Sequence, residues 1–172
     1  MSAYERLLSL NPEALQPDGF EEAFVGIIHR SGTPPVGAYD YSRCIGSLID
    51  SGMDFIEAIE FFEFNTIGAY VGLGTPAYVE FFEEDGGGFA GLEEDIHVDP
   101  RYQSVLIGIC CHFGRNGAER VVCYDLGETL RQIESSGLVL DPDSALECWR
   151  TSILPCDSTE APAWLERHKW QK

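Results

Sequence analysis

The chain has 172 residues, 44% of them hydrophobic, which suffices for one ordinary core or two small ones. Its formal net charge is −18, and residues 1–100 carry 19 of the 29 acidic residues but only 3 of the 11 basic ones. An electrostatic field this negative disfavours nucleic acid and anionic membranes as direct partners. It favours either solubility or attraction to a basic protein surface. No apolar run reaches the roughly 18 residues that a membrane-spanning helix needs.

The N-terminal stretch MSAYERLLSLNPEAL carries acids and has no long apolar centre, so no secretory signal is predicted. We therefore expect a cytoplasmic protein, in the host cytoplasm if a phage encodes it. In that compartment the six cysteines should be mostly thiols.

Residues 23–40 predict two short strands. AFVGII (23–28) is apolar, TPPVG (33–37) is a turn-rich link, and VGAYD (36–40) is the second strand. Asp40 then stands where a helix N-cap belongs.

Two helices are predicted next. Ile45, Leu48 and Ile49 give the first helix one apolar face, and Gly52 ends it. The second helix begins at Asp54, with Glu57 as its capping-box partner.

Along that second helix, Phe55, Ile59 and Phe62 form a stripe that we assign to the core. AYV (69–71) and AYVEFF (77–82) are predicted as closing strands.

The segment at 83–100 is acidic and contains three consecutive glycines, which favours a solvated tether. A calcium loop uses similar ligands, but the spacing does not fit its usual pattern.

The second half repeats the first half in order. The matched pairs are Val25-Gly26-Ile27 with Ile107-Gly108-Ile109, Tyr39-Asp40 with Tyr124-Asp125, Ser51-Gly52 with Ser136-Gly137, Asp54 with Asp141, Phe62 with Trp149, and TPAYVE (75–80) with APAWLE (161–166). Asp125 with Glu128, and Asp141 with Pro142, repeat the helix-start signals.

This order predicts an α+β fold, a tandem duplication of a strand-strand-helix-helix-strand unit with pseudo-twofold symmetry. The alternative is that two α/β units share the order by coincidence. The predicted boundaries are a first unit with an N-terminal extension at 1–82, an acidic Gly-rich linker at 83–100, and a diverged second unit at 101–172.

No sequence signature fixes a reaction. Cys110, Cys111 and His112 are adjacent, so in a strand their side chains alternate faces and cannot converge on one ion. His29, the repeat partner of Cys111, is expected to have a structural role. The chain has no Gly-x-Ser-x-Gly elbow, no phosphate-binding Gly-x-x-x-x-Gly-Lys and no Cys-x-x-Cys. We predict no catalytic residue, no metal and no cofactor.

Acids and aromatics interleave in IEFFEFNTIGAYVGLGTPAYVEFFEED, residues 59–85. Exposed aromatics beside acids suit Arg-rich partners, because Arg pairs bidentately with carboxylates and stacks on rings. The alternative is that the aromatics form the core and only the acids lie outside. The candidate binding residues are Glu57, Glu60, Glu63, Asn65, Tyr70, Glu80, Glu83 and Glu84.

The first half also resembles a family of small phage and prokaryotic proteins. The resemblance lies in a Tyr-Asp before a helix, a Glu-Ala helix ending in EFN, then GAYVG and TP before a strand, and it covers residues 23–81. It implies a phage or mobile-element origin and a compact α/β unit, and it implies no activity. The second half departs from the pattern, with RTSILPCDST at 150–159.

Three functions follow from these observations. The first is a non-enzymatic phage protein whose acidic first half occupies a basic surface of a host protein, as an anti-defence inhibitor or nucleic-acid mimic would. The second is a structural or regulatory binding module whose acids only solubilise it. The third is an enzyme or small-ligand binder that uses a cleft between the halves, with Asn65, Tyr70 and Asp125 in its pocket.

Overall fold

The computed structural model describes residues 2–30, 33–82, 106–114, 117–125 and 152–155. Within these ranges the fold is α+β, as predicted. The elements are α1 (Ala3–Leu10), a 3₁₀ turn (Glu21–Ala23), β1 (Phe24–Arg30), β2 (Thr33–Asp40), α2 (Tyr41–Asp50), α3 (Phe55–Phe62), a π-helical turn (Glu63–Ile67), β3 (Ala77–Phe81), β4 (Leu106–Gly114), β5 (Gly117–Asp125) and β6 (Ser152–Pro155).

The six strands pair in chain order, and β6 returns to β1, so the sheet closes on itself. In the first half, β1 and β2 are antiparallel and β3 joins β2 in parallel. In the second half, β4 and β5 are antiparallel and β6 joins β5 in parallel. The antiparallel pairs β3–β4 and β6–β1 connect the two halves.

The two hairpins have one register shift in common, and β1–β2 has a second, between Ile28 and Arg30. Gly26 lies opposite Ala38, Gly108 lies opposite Cys123, and each first strand shifts register just before its glycine. The strand that completes the second half is β6, whereas the sequence alignment matched β3 with residues 161–166. Those residues lie outside the described ranges, as do the predicted caps after Asp125 and at Asp141.

The predicted link at 33–37 was wrong, because these residues belong to a strand. Thr33–Val36 lie in β2, and Gly114 and Gly117 are the facing ends of β4 and β5. Strand β2 tolerates two prolines because they lie at its start, before the stretch from Ala38 onward that pairs with β3.

Two apolar clusters stabilise the described fold. One fills the inside of the closed sheet with Ile28, Val36, Ala38, Ala77, Val79, Cys110 and Cys123. The other lies between the sheet and the helices, around Tyr39, Cys44, Leu48, Phe62 and Tyr78. Because side chains alternate along a strand, Ala38 faces one cluster and its neighbour Tyr39 faces the other.

The predicted ends of α2 are confirmed. The Asp40 side chain accepts a hydrogen bond of 3.0 Å from the Arg43 N–H, as an N-cap does. At the other end Gly52 has φ +110°. The N–H groups of Gly52 and Met53 donate to carbonyls of the last turn, the pattern of a glycine C-cap.

Helix α1 was not predicted, although Ser2 and Glu5 form a capping box at its start. Leu7 on this helix is fully buried. Beneath the helix, His29 on β1 is half-buried, and burial together with the charge of Arg6 lowers the pKa of His29 to about 4. His29 is therefore neutral at neutral pH. Its Nε2 atom is buried and makes no hydrogen bond within the described residues, so the satisfied structural role stays a prediction.

Candidate functional site

Helix α3 begins at Asp54, as predicted. The Asp54 Oδ1 atom accepts hydrogen bonds of 2.9 Å from the Ile56 and Glu57 N–H groups. Glu57 returns the contact, its Oε2 accepting from the Asp54 N–H at 3.1 Å. This capping box fixes the direction in which the helix leaves the loop.

The helix widens at its end into a π-helical turn at Glu63–Ile67. The Gly68 N–H donates to the Glu63 carbonyl at 3.1 Å, and the Asn65 side-chain amide donates to the Phe61 carbonyl at 3.1 Å. A Cβ atom at Gly68 would lie 2.9 Å from the Phe64 carbonyl oxygen, so glycine is needed there. Turns of this kind occur frequently at functional sites.

The buried side of α3 differs from the predicted stripe. Phe62 is fully buried and Ile59 partly buried, but Phe55 is 59% exposed, so its assignment to the core was wrong. The second buried residue of α3 is Ala58, one turn before Phe62. Helix α3 packs against α2, and Phe55 lies on its solvent side.

Phe62 anchors α3 through three edge-to-face ring contacts. Its ring centroid lies 5.5 Å from Phe20, 5.2 Å from Tyr41 and 5.0 Å from Tyr78. Such pairs add about 0.5–1.5 kcal/mol each beyond the burial of their surface. The opposite side of the helix is therefore held in a fixed orientation toward solvent.

That opposite side combines acids with exposed aromatic rings. Phe64 is 83% exposed and Phe61 is 41% exposed, so the alternative in which the aromatics are all core is wrong. Here we call this surface the acidic face. It is a shallow depression lined by Glu57, Glu60, Glu63, Phe61, Phe64 and Asn65.

A second depression, the apolar groove, continues from the acidic face and shares Phe61 and Asn65 with it. Its volume is about 420 Å³. The apolar part of its wall comes from Leu15, Pro17, Phe61, Val71, Pro76 and Tyr78. All of these residues belong to the first half of the chain.

The loop that forms one wall of the groove is held in place by hydrogen bonds. The Thr75 hydroxyl accepts from the Val71 N–H at 3.1 Å and donates to the Gly72 carbonyl at 2.6 Å. The Leu15 N–H donates to the Gly74 carbonyl at 3.0 Å, joining this wall to the one opposite. The prediction of a strand at 69–71 was wrong, because these residues lie in the loop.

A Cβ atom at Gly74 would collide with the Glu13 carbonyl oxygen, so the two segments approach as closely as only glycine allows. The exposed side chains of Val71 and Leu73 are therefore presented by an ordered loop.

The candidate carboxylates differ in how far they are already engaged. Glu57 belongs to the capping box, and Glu63 accepts a hydrogen bond of 2.8 Å from the Tyr41 hydroxyl. The Glu80 carboxylate lies 3.5 Å from the Arg120 guanidinium. Burial and the bond to Glu63 raise the pKa of Tyr41, which keeps its hydroxyl a donor. Among these described carboxylates, Glu60 is the one for which the structure has no hydrogen bond or ion pair.

The remaining candidates divide in two. Tyr70 is 56% exposed but lines neither depression. Glu83 and Glu84 lie outside the described residues, as does the whole 83–100 segment. Asp125 ends β5 and lines neither depression, so the pocket that would combine Asn65, Tyr70 and Asp125 is not one of these two.

Two of the described thiols, Cys44 and Cys111, lack activation. Burial raises the pKa of Cys44 to about 12, and it also raises the pKa of Cys111. A thiolate nucleophile needs the opposite shift. In the described ranges, no three His, Cys, Asp or Glu side chains come together as a metal site would require. The described helices include none long and apolar enough to cross a membrane.

The chain matches no protein-family model, no curated protein and no solved structure at a significant level. Function is therefore inferred from the chain's own residues and their geometry.

Proposed function

We propose that this chain is a non-enzymatic binding protein whose acidic face and apolar groove occupy a basic surface of another protein. The observation that carries the proposal is that Glu60 and the 83%-exposed ring of Phe64 line the same depression. Acids alone would only solubilise the chain, whereas a ring so exposed gains from being covered.

The charge of the chain favours a basic partner. A net charge of −18 steers positively charged surfaces toward the protein and repels nucleic acid. If the phage origin implied by the resemblance holds, the partner is a host protein, and a nucleic-acid channel of a defence system has the required charge. The protein then acts as an inhibitor that competes with nucleic acid.

Affinity capture from host lysate at low salt, followed by elution with rising salt, tests this proposal. A partner held by charge should elute at moderate salt, because screening weakens exposed charge pairs. Glu60→Lys should slow association with the captured partner and flatten its salt dependence. Asp50→Lys is the matched control, because Asp50 is an exposed acid on α2 outside both depressions. Full-strength binding by the Glu60→Lys variant would overturn the proposal.

A structural or regulatory module with an apolar interface is the second candidate. It is favoured by the loop residues Val71 and Leu73, which are 63% and 58% exposed beside the groove. In that case the complex should persist or strengthen as salt rises, and Leu73→Ser should weaken it more than Glu60→Lys.

We also propose that the chain is a tandem duplication with pseudo-twofold symmetry. Supporting it are the register shifts just before Gly26 and Gly108, and the third strands, where Tyr78 pairs with Tyr39 and Ser152 with Tyr124, both in parallel. An experimental structure without two helices between β5 and β6 would overturn it.

A further inference from the structure

We propose that the partner contributes a short segment with two features, an arginine that covers the acidic face and an apolar side chain that enters the apolar groove. This inference rests on the proposed function, because it assigns the partner chemistry of the same surface. The two depressions share Phe61 and Asn65, so one continuous segment can reach both.

The arginine is inferred from the groups that the acidic face offers. Glu60, Phe61 and Phe64 line the same shallow depression, so one guanidinium bound there can reach the carboxylate and the rings. A guanidinium can pair with the Glu60 carboxylate while its plane lies on the Phe64 ring. Glu57 and Glu63 each already accept a hydrogen bond, from the Asp54 N–H and the Tyr41 hydroxyl, whereas Glu60 accepts none within the described residues.

Lysine suits this face less well than arginine. An ammonium is compact and strongly hydrated, so it gains from the carboxylate but pays more to leave water and lie on an aromatic ring. If the acids only attracted positive charge, arginine and lysine in the partner segment would bind equally well. Discrimination between them therefore reports whether the exposed rings take part in binding.

The apolar side chain is inferred from the groove. Its walls are joined by the hydrogen bond from the Leu15 N–H to the Gly74 carbonyl, and Thr75 holds the loop that carries Val71. A groove that is already formed costs little ordering on binding. Tyr78, only 4% exposed, lies among its lining, and Phe61 joins it to the acidic face.

Three synthetic peptides of equal length test the inference with the full chain, by calorimetry at low salt. They alternate arginine with leucine, lysine with leucine, and arginine with serine. The arginine–leucine peptide should bind most tightly. Phe64→Ala should weaken the arginine–leucine peptide about two- to fivefold and hardly change the lysine–leucine peptide. Phe55→Ala is the control, because Phe55 is a 59%-exposed ring on α3 that lines neither depression.

The groove has its own pair of variants. Val71→Ser should weaken the arginine–leucine peptide about threefold and leave the arginine–serine peptide unchanged. Leu73→Ser is the control, since Leu73 lies in the same loop and does not line the groove.

Equal binding of the arginine–leucine and lysine–leucine peptides, unaffected by Phe64→Ala, would overturn the inference. It would leave the proposed function standing as charge attraction alone. The proposed function fails separately, if Glu60→Lys leaves capture of the partner unchanged.

Discussion

Phe62 and Phe64 are both phenylalanines, two positions apart in the chain, but their environments are opposite. Phe62 is fully buried and contacts three rings, whereas Phe64 is 83% exposed. The helix carries apolar residues on all of its sides, so residue type cannot decide which side packs. In the folded chain the side with Ala58 and Phe62 is buried, and the widened turn that carries Phe64 begins at Glu63. The buried side builds the fold, and the exposed side is left available for a partner.

The buried side gives the largest expected effect. Phe62→Ala should lower the free energy of unfolding by about 3–5 kcal/mol, because it opens a cavity among Phe20, Tyr41 and Tyr78. Chemical denaturation followed by circular dichroism measures the change. A loss below about 1 kcal/mol would mean that Phe62 is not packed as described.

The start of the helix gives an intermediate effect. Asp54→Ala should cost about 1 kcal/mol, because it leaves the N–H groups of Ile56 and Glu57 without their acceptor. Asp50→Ala is the control, since it removes an exposed acid near the end of α2 that caps nothing. Equal melting temperatures for the wild-type chain and the Asp54 variant would contradict this role. Asp141→Ala, the repeat counterpart, is predicted to cost the same.

Local rules predicted much of this fold. The caps at Asp40 and Asp54, the end of α2 at Gly52 and the strands around Tyr39 and Tyr78 each depend on a few neighbouring residues, and the structure confirms them. Gly26 and Gly108, which the sequence comparison matched, each follow a register shift in their strand, although no register was predicted.

Features that depend on tertiary contacts were not predictable in the same way. The exposure of Phe55 follows from how α3 lies against the sheet, and the apolar groove exists because Leu15 and Gly74 meet across the chain. The engagement of Glu80 by Arg120 joins residues 40 positions apart. Of the missed features, α1 alone had a clear local signal, the capping box of Ser2 and Glu5.

Substitution on the exposed side of the helix should have the smallest effect on stability, so it separates binding from folding. Phe64→Ala should change the free energy of unfolding by less than about 0.5 kcal/mol, because the ring is 83% exposed and alanine has the better helix propensity. The same denaturation experiment measures it beside Phe62→Ala. A loss above about 1 kcal/mol would show that Phe64 packs against the protein's own surface, and its effect on peptide binding would then report unfolding. With stability unchanged, any loss of arginine-peptide affinity belongs to the acidic face itself.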